Sequence, residues 1–193
     1  VVDPRRSDCP SACKGLAGVG VALKLAMAIN GPEGDGDVLA EYCDLAAVGT
    51  VADVMPMTGE NRRIVSAGLA RLNPSRRLGL ARLISLSGQG DRPISSVSVG
   101  YTLAPRINAS GRMGRAEAAL ELLMTGDPER AEELAARLQY DQARRDAEDL
   151  EERIRDLLQE REELRAIRTQ LEALLGEKAE RLKELGGTGG TRL

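Results

Sequence analysis

The 193-residue sequence has no histidine, no tryptophan and no phenylalanine. Without histidine there is no Ser-His-Asp triad, no imidazole general base and no His-ligated metal in this chain. Tyr42, Tyr101 and Tyr140 are its only aromatic residues. That scarcity argues against a surface that holds single strands mainly by stacking their bases. No apolar run approaches the ~20 residues of a membrane span, and no secretory leader is visible. Only Cys9, Cys13 and Cys43 are present. An odd count without a leader fits free thiols in a reducing cytoplasm. Cys9 and Cys13 have the spacing of half a zinc site, but no second pair and no histidine completes one.

What is present suffices for one domain with a real core: 42% hydrophobic and 30% charged residues. The chain begins Val1-Val2-Asp3-Pro4 without an initiator Met, as the middle of a longer protein would. Net charge is −3, yet it is unevenly divided. Residues 1–126 hold 14 Lys and Arg against 12 Asp and Glu, and residues 127–193 hold 13 against 18. Arg62, Arg63, Arg71, Arg76, Arg77 and Arg82 have only Glu60 among them as an acidic neighbour. Such a run is either a phosphate-facing patch or a solvated helix face.

Periodicity predicts a largely apolar helix over 16–30, with Val19, Leu23, Ala26 and Met27 on one face. Gly15, Gly18 and Gly20 fit either close helix packing or a loose phosphate loop, the latter making residues 14–20 a nucleotide site. A loop at 30–36 leads to a second helix over 37–48. The apolar stretch Val48–Val54 follows. Asp53 within it needs a partner if buried, either an arginine or a divalent metal. Thr58 is placed to cap a third helix ending near Asn73-Pro74, and a short helix follows around 79–86. Val97, Val99, Tyr101 and Leu103 alternate as a strand would, and residues 94–104 stay open between strand and helix. Residues 114–125 form a helix. Asp127-Pro128-Glu129 then supplies a cap, an N1 proline and a first-turn acid for a helix running to about 185. In it Leu150, Leu157, Leu164, Leu171 and Leu185 repeat at seven-residue spacing, with Lys178 interrupting. Ile154, Leu175 and Leu182 share a second position with Arg161 and Arg168. The pattern fits a coiled coil with a defective middle, hence a homodimer through 150–185. A hairpin near Gly176 or a single charged helix fits it too. Residues 186–193 are a flexible glycine-rich tail.

The segment with the most chemistry is Leu103–Met113. Pro105 is expected to end any preceding helix. Arg106 and Arg112 are cationic forks suited to phosphate oxygens, and Asn108 and Ser110 add neutral donors. A rigid loop of this make-up suits a phosphodiester, or is a polar turn whose arginines pair with nearby carboxylates.

Pro105-Arg-Ile-Asn-Ala-Ser-Gly-Arg112 resembles the Pro-Arg-x-Asn-Ala-(Ala/Ser)-Gly-Arg signature of RecJ-type exonucleases, members of the DHH phosphoesterase superfamily. Lys14–Leu25 and Asp44–Val54 are similar to two further blocks of that family, in the same order. The resemblance implies a metal-dependent exonuclease that degrades single-stranded DNA from its 5′ end in repair and recombination, in a bacterial-type cytoplasm. It implies Mn²⁺ or Mg²⁺, with Asp53 as a metal ligand and Asp44 structural. It implies Arg106, Asn108 and Arg112 as catalytic residues, and Lys14, Arg106, Asn108, Ser110 and Arg112 as DNA contacts. The implied lobe is α/β, spanning 1–126 and joined to a connecting helix over 127–185. This stretch is expected to be mostly helical, with at most one or two strands. The family's Asp-His-His half and second lobe are not in this sequence, so the chain alone is expected to be inactive. The rival reading is a non-enzymatic coiled-coil interaction protein carrying a relic lobe.

Overall fold

The computed structural model describes residues 3–112, 114 and 116–187. Helix α1 (Gly18–Asn30) stops at Gly31, whose φ of 82° lies in the left-handed region while its N–H caps the Met27 carbonyl. A 3₁₀ turn, Pro32–Gly34, leads directly into α2 (Asp35–Ala52). This helix absorbs both the end of the expected loop and most of the apolar stretch, because Ala46, Ala47, Val48 and Thr50 are all buried along it. α3 (Gly59–Arg71) follows, with Thr58 at the N-cap position but making no side-chain cap.

α2 is the hub of the fold, packing against α1, α3 and the segment 99–112. Its crossings depend on missing side chains. A Cβ on Gly68 would lie 2.2 Å from the Cys43 carbonyl oxygen, and one on Gly49 would lie 2.7 Å from a Val19 methyl. The close approaches thus fall at Gly49 and Gly68. Gly15 and Gly18, expected to serve helix packing, have open space beside them, and Gly20 faces only its own Leu16.

α4 (Leu78–Ile84) buries Leu80, Leu83 and Ile84, and passes through a π-type turn, Ser85–Gln89, with φ of 73° at Gly88. The segment at 96–112 is one helical run in three parts: α5 (Ser96–Ser98), a π-type turn at Val99–Leu103, and α6 (Ala104–Arg112). One open choice is decided here and one expectation fails. The alternation of Val97, Val99, Tyr101 and Leu103 would put all four on one face of a strand. Instead Val99 and Leu103 are buried while Val97 and Tyr101 are exposed, the four-residue spacing of a helix. Pro105, expected to stop the preceding helix, is accommodated within it. The wider turn lets the Ala104 N–H reach the Val99 carbonyl, five residues back, just where proline supplies no donor.

α7 (Ala116–Met124) and α8 (Pro128–Gly187) complete the element order. Asp127 caps α8 as its sequence predicts, its carboxylate accepting the Glu129 N–H at 3.0 Å. The main core joins Val48, Leu72, Leu80, Leu83, Val99, Leu103 and Leu122 with Leu134, Ala135 and Leu138 from the first turns of α8. A smaller cluster holds Leu23, Val38, Ala46 and Ile64. No strand occurs among the described residues. The one isolated bridge, Leu72 to Ser75, closes a turn, so the expected α/β character has no counterpart among them.

Contacts divide the chain into two units, meeting at Arg145 and Asp146. In the second unit every described side chain from 146 to 185 is exposed. Its internal pairs are short-range, such as Arg165 to Glu162 at 3.0 Å and Lys183 to Glu180 at 3.0 Å. From residue 188 the expected glycine-rich tail lies outside the described residues. No helix among the described residues is long and apolar enough to cross a membrane.

Candidate active-site surface

Asp53 caps the carboxyl end of α2, its N–H bonded to the Gly49 carbonyl at 3.0 Å. The next residues close the helix with two nested bonds, Val54 N–H to Val51 O at 3.0 Å and Met55 N–H to Thr50 O at 3.3 Å. That closure requires a left-handed residue, and here it is valine: Val54 has φ of 52° and is 86% exposed. A β-branched residue in this region is strained. Asp53 itself is exposed. The expected carboxylate in apolar surroundings is therefore a carboxylate in water, and burial places no demand for a partner on it.

Asn61 ties the neighbouring loops together. Its Nδ2 donates to the Gly15 carbonyl at 2.7 Å and to the Pro56 carbonyl at 3.1 Å, from a side chain that is buried. The loop after Asp53 is thereby fixed to the loop carrying Lys14. Lys14 is exposed and folds back on its own loop, donating to the Cys9 carbonyl at 2.7 Å.

The Pro105–Arg112 signature is a helix where a rigid loop was expected. Its residues accordingly point in different directions. Asn108 is exposed, beside a depression of about 490 Å³ that Ile107, Gly111 and Ala116 also line. Arg106 is half-buried; one nitrogen donates to the Thr102 carbonyl at 2.5 Å and another to Gln139 of α8. Ser110 is fully buried and donates to the Ile107 carbonyl at 2.8 Å, so the expected DNA contact from its hydroxyl is not available in this conformation. A helix imposes this: the face that carries Asn108 outward turns Ser110 inward. The Arg112 side chain lies outside the described part.

Asp44, read as structural, is buried and paired with Arg77, Nε to Oδ2 at 2.9 Å. The same guanidinium donates to the Glu41 carbonyl at 2.6 Å and lies 5.6 Å from the centre of the Tyr42 ring. Among the described residues no three His, Cys, Asp or Glu side chains come together in a way that could hold a metal ion. Asp53 offers one carboxylate, which does not make a divalent-ion site.

Sequence reasoning missed Asn61, Asn73 and Asp141. Asn73 clamps the backbone of Ile94 in both directions, donating to its carbonyl at 2.8 Å and accepting its N–H at 2.7 Å. Asp141 is a fully buried acid on α8, with Arg137 Nε 3.5 Å from Oδ1. Its one signal was position: it falls three residues after Leu138, on the core face of the helix.

Within the first unit, then, the turn bearing Asp53 closes the central helix α2, and the helix bearing Arg106 and Asn108 packs on it. A Bacillus subtilis (strain 168) protein, "Single-stranded-DNA-specific exonuclease RecJ", is 48% identical over 138 residues, which is 72% of this chain and 17% of that protein. The solved structure of Thermus thermophilus RecJ in complex with Mg²⁺ aligns with 75% of this chain and 22% of its own, at 41% identity and a TM-score of 0.61. A structure of exonuclease RecJ bound to manganese aligns with 72% of this chain and 35% of its own, at 42% identity and a TM-score of 0.64. The matched stretch belongs to the RecJ family by sequence and by backbone. The chain spans about a sixth of the length of the Bacillus relative. No family model matches it.

Proposed function

We propose that this chain supplies part of a metal-dependent, single-stranded-DNA-specific 5′→3′ exonuclease and is inactive by itself. One observation carries the reading: the helix ending in Asp53 packs directly against the helix bearing Arg106 and Asn108. Two motifs separated by about 50 residues of sequence thus share one region of the fold. In this reading Asp53 is one ligand of a Mn²⁺ or Mg²⁺ centre, and the other ligands come from the Asp-His-His half found in the superfamily. Asn108 and Arg112 contact the DNA backbone, with Lys14 at the margin of the same surface. Arg106 acts by fixing the signature helix to α8 through Gln139. Ser110 locks the helix from inside. The reaction belongs to DNA repair and recombination in a bacterial-type cytoplasm.

The test is degradation of 5′-labelled single-stranded DNA with Mn²⁺. The present chain is compared with a version joined to the Asp-His-His half of a RecJ relative. Cutting by the joined version alone, abolished by Asp53→Ala and weakened by Asn108→Ala, is the expected result. Absence of cutting and of DNA binding in both would sink the proposal.

The second reading rests on Asp146–Leu185, where Leu150, Leu157, Leu164, Leu171 and Leu185 are all exposed at seven-residue spacing. Here the chain is an interaction protein that forms a homodimer through 150–185. Sedimentation across a range of concentrations tests it. A dimer lost on Leu157→Lys with Leu164→Lys supports the reading, and a monomer at all concentrations ends it.

A further inference from the structure

A second cavity, of about 450 Å³, shares no lining residue with the surface around Asp53 and Asn108. Three of its lining side chains are arginines: Arg71, Arg76 and Arg77. Arg71 is the last residue of α3, and Arg76 and Arg77 end the turn that follows. This turn is well fixed. Leu72 pairs with Ser75, Ser75 Oγ donates to the Arg77 carbonyl at 3.3 Å, and Asn73 is clamped to Ile94.

The three arginines are in different states. Arg77 is committed to Asp44, the Glu41 carbonyl and the Tyr42 ring. Neither Arg71 nor Arg76 makes a hydrogen bond or an ion pair among the described residues. The cavity therefore presents two guanidinium groups with free donors beside a third held rigidly in its wall. Against them stand Asp44, which is already paired, Glu41, and the carboxyl end of α7, whose carbonyls carry partial negative charge. The arginines outnumber the carboxylates, and the uncommitted positive charge lies on Arg71 and Arg76.

Guanidinium forks match the oxygens of a phosphate group in spacing and plane, and two forks can grip one tetrahedral anion from two sides. We propose that this cavity is a phosphate-binding site, with Arg71 and Arg76 gripping the anion and Arg77, held by Asp44, shaping the wall. The phosphate can come from a nucleic-acid backbone or from a free or terminal phosphate. Both share the chemistry, and the site does not depend on the exonuclease reading.

The experiment is calorimetric titration of the full chain at low salt with three probes: inorganic phosphate, a 5′-phosphorylated oligonucleotide and the same oligonucleotide without the 5′ phosphate. Wild type is compared with Arg76→Ala and with Arg71→Ala/Arg76→Ala. Unfolding midpoints are measured alongside, and the exposed Arg76→Ala serves as the variant least prone to folding defects. The expected result is a loss of at least about tenfold in affinity for phosphate-bearing probes in the double variant, with a smaller loss in the single one. Competition between inorganic phosphate and the 5′-phosphorylated probe assigns a terminal-phosphate site. Equal binding of both oligonucleotides, removed by the double variant, assigns a backbone site. Wild type that binds none of the probes, or variants that bind them as wild type does, overturns the proposal.

Discussion

Arg77 Nε donates to Asp44 Oδ2 at 2.9 Å, joining the middle of α2 to the turn after α3 across 33 residues of sequence. The pair is unequally buried, with Asp44 nearly sealed and Arg77 16% exposed. Removing the arginine leaves a buried carboxylate with no ion-pair partner and the Leu45 N–H, at 2.8 Å, as its remaining donor among the described residues. Removing the carboxylate leaves an arginine that still has the Glu41 carbonyl. Arg77→Ala should therefore cost about 3–5 kcal/mol and Asp44→Asn about 1.5–3 kcal/mol. Urea unfolding of the two variants checks the order. Equal costs would mean that the pair is hydrated in solution.

Val54 tests the strain beside Asp53. Valine at a left-handed position costs about 1–2 kcal/mol relative to glycine, and glycine's extra freedom in the unfolded chain returns about 0.5–1 kcal/mol of that. Val54 is exposed, so little packing is lost. Val54→Gly should raise stability by about 0.5–1 kcal/mol, a shift of a few degrees in melting temperature. A lower melting temperature would show that the turn is not left-handed.

Gly79 is the tightest backbone approach in the first unit. A Cβ there would lie 1.8 Å from the Leu122 carbonyl oxygen, a backbone atom that cannot step aside. Alanine would gain about 1 kcal/mol in helix propensity, but the clash costs about 3 kcal/mol or more. Gly79→Ala should lower the denaturant midpoint, whereas Gly18→Ala, with open space at its Cβ, should not.

The cysteines should react in two classes. Cys43 is buried, and burial together with the neighbouring Asp44 pushes its thiol above the usual range. Cys9 and Cys13 are half-buried and free. Alkylation at about pH 8 should modify Cys9 and Cys13 in the native protein and Cys43 only after unfolding, since the thiolate is the reactive form. Mass spectrometry of peptides from a time course resolves the order. As pH rises through the ordinary thiol range, the folded state holds the Cys43 proton that the unfolded state releases, so stability falls.

Local signals in the chain were sufficient for the parts of the fold governed by neighbours a few residues apart. Asp127-Pro128-Glu129 starts a helix because a cap, a fixed φ and a first-turn acid act within one turn. The family blocks at Lys14–Leu25, Asp44–Val54 and Pro105–Arg112 were also legible, since they are strings of residues. Where those strings put their side chains was not. Asn108 faces outward, Ser110 inward and Arg106 toward Gln139 because the signature is helical, and it is helical because the π-type turn just before it accommodates Pro105. Whether Val97–Leu103 became strand or helix depended on which pair of residues the core took in, and no residue in that segment records the core's position. The same holds for Asp44. Its sequence shows a carboxylate among apolar neighbours, but only the arrival of Arg77 from a distant turn makes it a buried ion pair and leaves Arg71 and Arg76 uncommitted beside it. Sequence determined the helices with strong local signals and the family, through short-range sterics and motif chemistry. Tertiary structure decided which charges are spent and which remain, because long-range packing sets which groups lose water and which keep it.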